Sequence, residues 1–244
     1  MGLTITVLGC DGSYAGPGGA CSGYLLSSGD THVWLDCGPG TLANLQQHVD
    51  PRDVTAIIAT HSHPDHWGDL PIAYNAFAYY FDRRSIPVYG TTDTRERLRV
   101  AKGGTIDDVY DWHTITDGSE FDVDGLHVRC TVTDHPVETL AIRVENQSKV
   151  FAYTSDTGTA WPLTALGPDI DLLFCEATFP EDRAGEFAHL TASEAGAAAR
   201  AAGVNRLVLT HLLPGADHDL ARDNASRTFG AHVDIATTHM RIEL

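Results

Sequence analysis

The chain has 244 residues, of which 43% are hydrophobic, so it can bury a substantial core, while its net charge of −17 disfavours extended contact with nucleic acid. No apolar run approaches the ~20 residues that span a bilayer, and the N-terminus has no signal-peptide pattern. The five cysteines are scattered without a CxxC pair, which is typical of reduced thiols and favours a cytoplasmic protein.

The first half of the chain alternates predicted strands and helices. Hydrophobic runs predict strands at 3–8, 22–28, 32–37, 54–60 and 86–90. Helices are expected at 38–49, 69–81 and 92–101, and residues 102–115 predict a loop. The aromatic residues Tyr74, Phe77, Tyr80 and Phe81 recur at helical spacing, which favours a core or dimer face.

The second half repeats this organisation. Residues 119–154 predict several strands, followed by strands at 171–178, 206–210 and 239–244 and helices at 191–203 and 217–229. No repeat, linker or shift in composition marks a boundary, so residues 1–244 predict a single domain. Two halves of strands and helices favour a core of two sheets with helices outside.

The stretch IIATHSHPDHWGDL, residues 57–70, concentrates titratable side chains at a predicted strand end. His61 and His63 are two residues apart in an extended segment, so both rings can enter one cavity. Pro64 ends the strand and leaves Asp65 and His66 on the turn. Solvated turn histidines would explain any one of these residues, but their density favours a metal site, and imidazole and carboxylate groups suit Zn²⁺.

Three later strand ends carry further candidate ligands. His135, Asp156 and His211 each follow an apolar run, as the first cluster does. Singly they suit a loop histidine or a helix cap. Together with the first cluster they supply seven donors, enough for two metal ions at one rim of a sheet.

This pattern resembles the metallo-β-lactamase-fold hydrolases, and most closely the branch with ribonuclease Z and bacterial cyclic-nucleotide phosphodiesterases. The resemblance covers nearly the whole chain and implies an αββα sandwich, in which two mixed sheets pack face to face between outer helices. It implies one Zn²⁺ held by His61, His63 and His135. It implies a second held by Asp65, His66 and His211, with Asp156 bridging the pair. Mn²⁺ or Fe²⁺ would also suit these ligands.

Motifs outside the metal ligands extend the resemblance. The segments FCEATF (174–179) and HLTASEAG (189–196) resemble the distal motif of the branch, which implies His189 as the proton donor to the leaving group. Glu176 is its candidate partner, although a strand-end carboxylate also suits backbone N–H groups. Ser13 and Thr157 are candidate phosphate-binding residues, or ordinary turn residues. Asp69 replaces the glycine usual in the branch and suits either a cap of the helix at 69–81 or a contact to a metal ligand.

The resemblance implies a metal-dependent phosphodiesterase whose metal-bridging hydroxide, oriented by Asp65, attacks phosphorus. A small substrate such as a cyclic nucleotide is favoured, because the chain is acidic and lacks the basic, protruding arm with which ribonuclease Z grips tRNA. The alternatives are a ribonuclease Z-type endoribonuclease that processes tRNA 3′ ends, and a lactonase or thioesterase on the same scaffold. No membrane partner is expected, and a homodimer is common in the branch.

Overall fold

Fourteen strands, six α-helices and three short 3-10 helices make up the regular structure of the computed structural model, which describes residues 2–147, 149–186 and 188–244. The strands are β1 Thr4–Gly9, β2 Gly23–Ser28, β3 Thr31–Leu35, β4 Ala56–Ala59, β5 Ile86–Gly90, β6 Tyr110–Thr114, β7 Glu120–Val123, β8 Leu126–Val132, β9 Leu140–Asn146, β10 Lys149–Tyr153, β11 Leu172–Glu176, β12 Leu207–Thr210, β13 Asp234–Ile235 and β14 Arg241–Glu243. The helices are α1 Thr41–Leu45, α2 Pro64–Trp67, α3 Leu70–Tyr79, α4 Thr92–Lys102, α5 Ala192–Ala201 and α6 His218–Phe229.

The strands form two mixed sheets of seven. The first has the order β14-β1-β2-β3-β4-β5-β6, and the second has the order β13-β12-β11-β10-β9-β8-β7. In the first sheet β3 to β6 run parallel, and in the second β10 to β13 do so, while the remaining pairs are antiparallel.

Aromatic rings join the two sheets across their shared core. The Tyr24 ring of the first sheet meets the Tyr153 and Phe174 rings of the second edge to face, with centroids 4.9 and 5.3 Å away. The Tyr24 hydroxyl also lies 2.7 Å from Thr210 Oγ1, so the only polar atom of this buried ring is satisfied. Such pairs add about 0.5–1.5 kcal/mol each beyond the area that they bury.

Helices cover the outer face of each sheet. On the first sheet α3 and α4 pack over a second apolar cluster that includes Trp34, Phe77 and Tyr110. On the second sheet α5 and α6 pack over a third, which includes Leu173 and Phe229. The predicted αββα sandwich is therefore confirmed.

The structure differs from the sequence predictions mainly at short elements. The predicted loop 102–115 contains strand β6, which pairs in parallel with β5. Tyr110 is the one fully buried residue of this strand, so its sequence does not show the alternation of apolar and polar residues that predicts a strand. The predicted helix 38–49 is helical only over Thr41–Leu45, after Gly40 in the left-handed region. The two-residue strand β13 had no sequence signal.

The carboxyl ends of the parallel strands of both sheets lie along one edge of the sandwich. There the sheets are tied together, because Leu140 N donates to Thr60 O (3.1 Å) and Ser155 Oγ donates to Thr60 Oγ1 (2.8 Å). Residues that follow strand ends are therefore brought together from both halves of the chain. Among the described residues, no helix is long and apolar enough to cross a membrane.

Candidate active site

Seven side chains meet at this edge in two groups whose ligand atoms lie within 4.8 Å of one another. The first group is His61, His63, His135 and Asp156, and the second is Asp65, His66 and His211. All seven were predicted as ligands from the sequence, and the structure brings them into one place.

The local fold of the histidine-rich segment explains how four of the six positions from 61 to 66 contribute candidate ligands. His61 follows β4, and His63 stays extended as the residue before α2. Pro64 occupies the first helical position, where its missing N–H costs nothing. The single turn of α2 then turns Asp65 and His66 back toward the cavity. The predicted turn is thus a short helix.

Asp156 lies between the two groups and offers one oxygen to each. Its Oδ2 is 3.5 Å from His61 Nε2 and 3.7 Å from His135 Nε2. Its Oδ1 is 3.2 Å from His66 Nε2 and 3.5 Å from His211 Nε2. Each oxygen of Asp156 therefore faces one of the two groups of candidate ligands.

Four histidines are oriented by the same kind of hydrogen bond, in which Nδ1–H donates to a neighbouring oxygen and Nε2 faces the cavity. The acceptors are Thr60 Oγ1 for His61 (3.1 Å), Asp36 Oδ2 for His66 (2.7 Å), the Ala188 carbonyl for His135 (3.1 Å) and Thr178 Oγ1 for His211 (2.7 Å). Metal-binding histidines are commonly oriented in this way. His63 presents Nδ1 instead, 3.0 Å from His135 Nε2.

The Nε2 atoms that remain converge on one small space. With both Nδ1 atoms committed, the Nε2 atoms of His66 and His211 face each other at 3.2 Å, so either a proton or a metal cation must lie between their lone pairs. Within the described part of the chain, His61 Nε2 and Asp156 Oδ1 are buried without a hydrogen-bond partner. Buried polar atoms are nearly always satisfied. The donor set, of imidazole nitrogens and carboxylate oxygens, therefore fits a divalent metal such as Zn²⁺.

Three residues at the same edge have a strained backbone. Asp36, Ser155 and His211 have φ of 55°, 52° and 57°, in the left-handed region that costs a non-glycine residue free energy. Each directly follows a strand or lies one residue beyond it. The tight reversal turns their side chains into the space between the sheets.

The charges of the cluster shift its pKa values in the direction expected before metal binding. Burial lowers the pKa of His66, but the carboxylates of Asp156, Asp36 and Asp65 outweigh burial and raise it well above its usual value. For Asp65, burial raises the pKa, but the charge of His66 together with the hydrogen bond and charge of His211 outweighs burial and lowers it. A metal would displace the proton from His66, so metal binding should strengthen as pH rises.

His189 and Glu176 form a pair beside the metal ligands. His189 Nδ1 donates to Glu176 Oε1 (2.9 Å), and a ring nitrogen of His189 lies within 4.8 Å of ligand atoms of Asp156 and His211. Glu176 is fully buried and also accepts from Thr157 N and Thr178 N. Burial lowers the pKa of His189, and the hydrogen bond and charge of Glu176 outweigh burial and raise it.

The weaker candidates occupy different positions. Ser13 N donates to Asp65 Oδ2 (3.0 Å), so Ser13 lies beside the metal ligands and is exposed. Thr157 is buried, with its N–H on Glu176 and its hydroxyl on the Gly158 carbonyl (3.1 Å), so both groups are used within the protein. This placement favours support of Glu176 over contact with substrate.

Asp69 supports a different helix from the predicted one. Its side chain makes no capping bond to α3, and its Oδ2 instead accepts from Leu42 N (2.7 Å) in the first turn of α1. The carboxylate therefore caps α1 from across the chain. The alternative prediction was a contact from Asp69 to a metal ligand, and the hydrogen bonds of its side chain among the described residues include no such contact.

Sequence reasoning missed three residues that hold the ligands. Asp36 accepts from Thr60 N and Oγ1 as well as from His66. Thr178 donates to Glu176 Oε2 while it accepts from His211. Asp93 accepts from Ser62, between His61 and His63, at 2.5 Å and from Arg97 at 2.8 Å. For Asp36 a signal existed, because it too follows an apolar strand at the same edge.

Comparisons with known proteins agree with this geometry. Residues 31–212 match the family model described as a beta-lactamase superfamily domain. The Mycobacterium tuberculosis protein Rv1339 is 35% identical over 244 residues, which cover 96% of this chain and 89% of that protein. Bacillus subtilis YhfI, described as a probable metallo-hydrolase, is 31% identical over 96% of this chain and 97% of its own length.

Similarity extends to ribonucleases and to a solved structure. The ribonuclease Z of Mycolicibacterium paratuberculosis is 27% identical over 275 residues, which cover 99% of this chain and 98% of that enzyme. The crystal structure of YhfI, a metallo-beta-lactamase fold protein, aligns over the whole of both chains with a TM-score of 0.91 at 28% identity. The resemblance inferred from the motifs is thus confirmed.

Proposed function

The chain belongs to the beta-lactamase superfamily and is a metallo-hydrolase of that fold, and from this premise we propose that it is a dinuclear phosphodiesterase acting on a small phosphodiester. The observation that carries the proposal is the position of Asp156. Its two oxygens face two separate groups of nitrogen and oxygen donors. One metal would be held by His61, His63 and His135, and a second by Asp65, His66 and His211. Asp156 would contribute to both sites.

The chemistry that follows from such a pair is hydrolysis at neutral pH. Two divalent ions, when bound, lower the pKa of water to ~7 and neutralise charge on a phosphodiester. Zn²⁺ suits the ligands best, and Mn²⁺ or Fe²⁺ remain compatible with them. Asp65 would orient the attacking oxygen from its edge of the cluster. Ser13 would offer its hydroxyl to the substrate.

His189 would complete the reaction by protonating the leaving group. Cleavage of the P–O bond leaves an alkoxide, which needs a proton to depart readily. Glu176 favours the protonated imidazole through its hydrogen bond to Nδ1, so Nε2–H is left to donate. The Thr157 and Thr178 backbone groups hold Glu176 in the required position.

Charge favours a small substrate over tRNA. The most basic helix, α4, carries Arg95, Arg97 and Arg99, and each pairs with an acidic residue. With a net charge of −17, the chain offers little to a polyanion.

A ribonuclease Z-type activity on tRNA is the second candidate, because a ribonuclease Z is 27% identical over nearly the full length of both chains. A lactonase or thioesterase is the third candidate. The departing thiolate of a thioester needs less help from an acid than an alkoxide does, so a thioesterase would leave His189 and Glu176 with less to do.

The proposal is tested by assaying the metal-loaded protein in parallel on adenosine 3′,5′-cyclic monophosphate, bis-p-nitrophenyl phosphate, a precursor tRNA and a lactone. We expect the two small diesters to be hydrolysed. Asp156→Ala should abolish that activity and release about one metal ion per chain, measured by elemental analysis. Asp111→Ala, an exposed carboxylate on β6 remote from the cluster in sequence, is the matched control.

Three outcomes would contradict the proposal. Full activity and full metal content in Asp156→Ala would refute the ligand assignment. Turnover of the lactone alone would replace the phosphodiesterase with a carbon-ester hydrolase. Turnover of the precursor tRNA alone would favour the second candidate.

A further inference from the structure

An apolar pocket of about 430 Å³ lies beside the candidate site, on the side of His189. It opens between the segments that follow β11 and β12 and the first turns of α5 and α6. The apolar residues that line it include Ala177, Phe179, Leu212, Leu213, Leu220 and Ala221. Its volume falls in the ~300–1,000 Å³ range of small-molecule sites.

The wall of the pocket adjoins the reacting groups through two contacts. The Phe179 ring lines the pocket and meets the His189 ring edge to face, with centroids 5.1 Å apart. Leu212 follows His211 directly, and Thr178, on the same wall, accepts from His211 Nδ1. The pocket therefore adjoins the side of the site on which His189 lies.

The polar residues at its edge restrict what can enter. Glu181 and Asp217 are the carboxylates of the lining, and each already accepts from a helix N–H, Ser193 N at 3.0 Å and Leu220 N at 3.0 Å. Two fixed negative charges repel a second phosphate group. An apolar wall and an acidic edge suit a neutral, flat group better than a polynucleotide chain.

We propose that this pocket is the leaving-group subsite and receives an aromatic ring carried by the departing alcohol, such as the base of a nucleoside. This inference rests on the proposed phosphodiesterase activity. In a cyclic nucleotide the ribose bears both the leaving oxygen and the base, so base and leaving oxygen lie on one side of phosphorus. Hydrolysis breaks the P–O bond to that oxygen, which takes a proton from His189, while the hydroxide oxygen stays on phosphorus.

The test fills the pocket from α6, which carries none of the proposed metal ligands. Ala221→Phe places a ring in the cavity, and Ala201→Phe places the same ring on the exposed end of α5 as a matched control. KM and kcat are measured on adenosine 3′,5′-cyclic monophosphate, on the same cyclic ribose phosphate without a base, and on bis-p-nitrophenyl phosphate.

We expect the wild-type protein to favour the base-bearing compound over the abasic one by at least about tenfold in KM. Ala221→Phe should erase that preference and raise KM for bis-p-nitrophenyl phosphate, whose leaving group is also a ring. Ala201→Phe should change neither value. Leu220→Glu, at an exposed position of the rim, adds a third carboxylate and should raise KM for the same two substrates without disturbing the core.

Equal KM values for base-bearing and abasic compounds in the wild type would overturn the subsite. So would an Ala221→Phe or Leu220→Glu protein that folds, by circular dichroism, and keeps the wild-type preference. Absence of hydrolysis of all three diesters would instead refute the proposed function, so the two failures are distinguishable.

Discussion

Glu176 is placed so that its charge acts on one neighbouring side chain, His189. Both oxygens accept hydrogen bonds from the protein, and the one that accepts from Thr157 N also accepts from His189 Nδ1. Four donors surround this buried carboxylate, namely Thr157 N, Thr178 N, Thr178 Oγ1 and His189 Nδ1, so both of its oxygens are satisfied. The side chain that benefits is His189, whose pKa it raises against the effect of burial.

We predict that Glu176→Gln lowers the pKa of His189 and moves the alkaline limb of the kcat–pH profile to lower pH. The sign follows because the neutral amide removes the charge that favours imidazolium, so the proton is lost at lower pH. His189→Ala should cut turnover of an alkyl-leaving diester by ~10²–10⁴ and remove that limb. Both profiles are measured at constant metal loading.

Leaving-group dependence is the control for this prediction. Bis-p-nitrophenyl phosphate releases a stable phenolate that needs little protonation, so both variants should lose much less activity on it. Loss of metal from His189→Ala would instead identify His189 as a ligand. An alkaline limb that stays at the wild-type pH in Glu176→Gln would contradict the assigned pairing.

At the scale of elements, the ends of β3 and β4 are locked to each other and to a ligand. Asp36, just beyond β3, accepts from Thr60 N and Oγ1 just beyond β4 and from His66 Nδ1. Parallel pairing of the two strands places these ends side by side. The geometry of His66 therefore depends on strand pairing as much as on α2, which carries it.

We predict that Asp36→Asn lowers metal affinity about 10–100-fold, since loss of such supporting carboxylates typically has that effect. The amide can still accept from Thr60, but it no longer favours His66 Nδ1–H with a full negative charge. Affinity is measured by competition with a chromogenic chelator.

Asp30→Asn, an exposed residue before the other end of β3, is the matched control and should bind metal as the wild type does. Unchanged affinity in Asp36→Asn would mean that Asp36 only joins the strands. Thermal unfolding of the metal-free proteins separates a loss of stability from a loss of affinity.

At the scale of the whole molecule, charge decides which partners approach. The described arginines of α4 are paired with acids, and the chain has 33 acidic against 16 basic residues. Binding of nucleic acid depends on neutralising phosphates with Lys and Arg.

A cytoplasmic location, a single domain over 1–244 and a homodimer stay predictions. Of the predicted aromatic face, Tyr74 and Phe77 are buried in the core and Tyr80 is 81% exposed.

We predict that the metal-loaded protein shows no saturable binding of a precursor tRNA at about 0.15 M salt, where the Debye length is ~8 Å. The reason is the net negative field, which the paired arginines do not offset. Fluorescence anisotropy of a labelled precursor tRNA measures this directly. Submicromolar binding that weakens with added salt would contradict it and favour the ribonuclease candidate.

The sequence by itself determined the candidate ligands and the layered fold. His61, His63, Asp65 and His66 are close along the chain, and apolar strands before His135, Asp156 and His211 indicated their shared edge. These signals are local, since a strand end and its following residue lie in one short segment. Strong hydrophobic periodicity likewise predicted most strands, because burial on both faces leaves an apolar run.

Only the tertiary structure decided what holds those ligands and what lies beside them. Asp36, Thr178 and Asp93 act across separations of 30 residues or more, and Asp69 caps a helix that precedes it by over 20 residues. Strand β6 forms because β5 offers its edge, and the apolar pocket exists because two loops and two helix ends meet. Such contacts depend on how distant segments pack together. The hydrogen-bonding groups of a residue and the local pattern of apolar residues do not specify that packing.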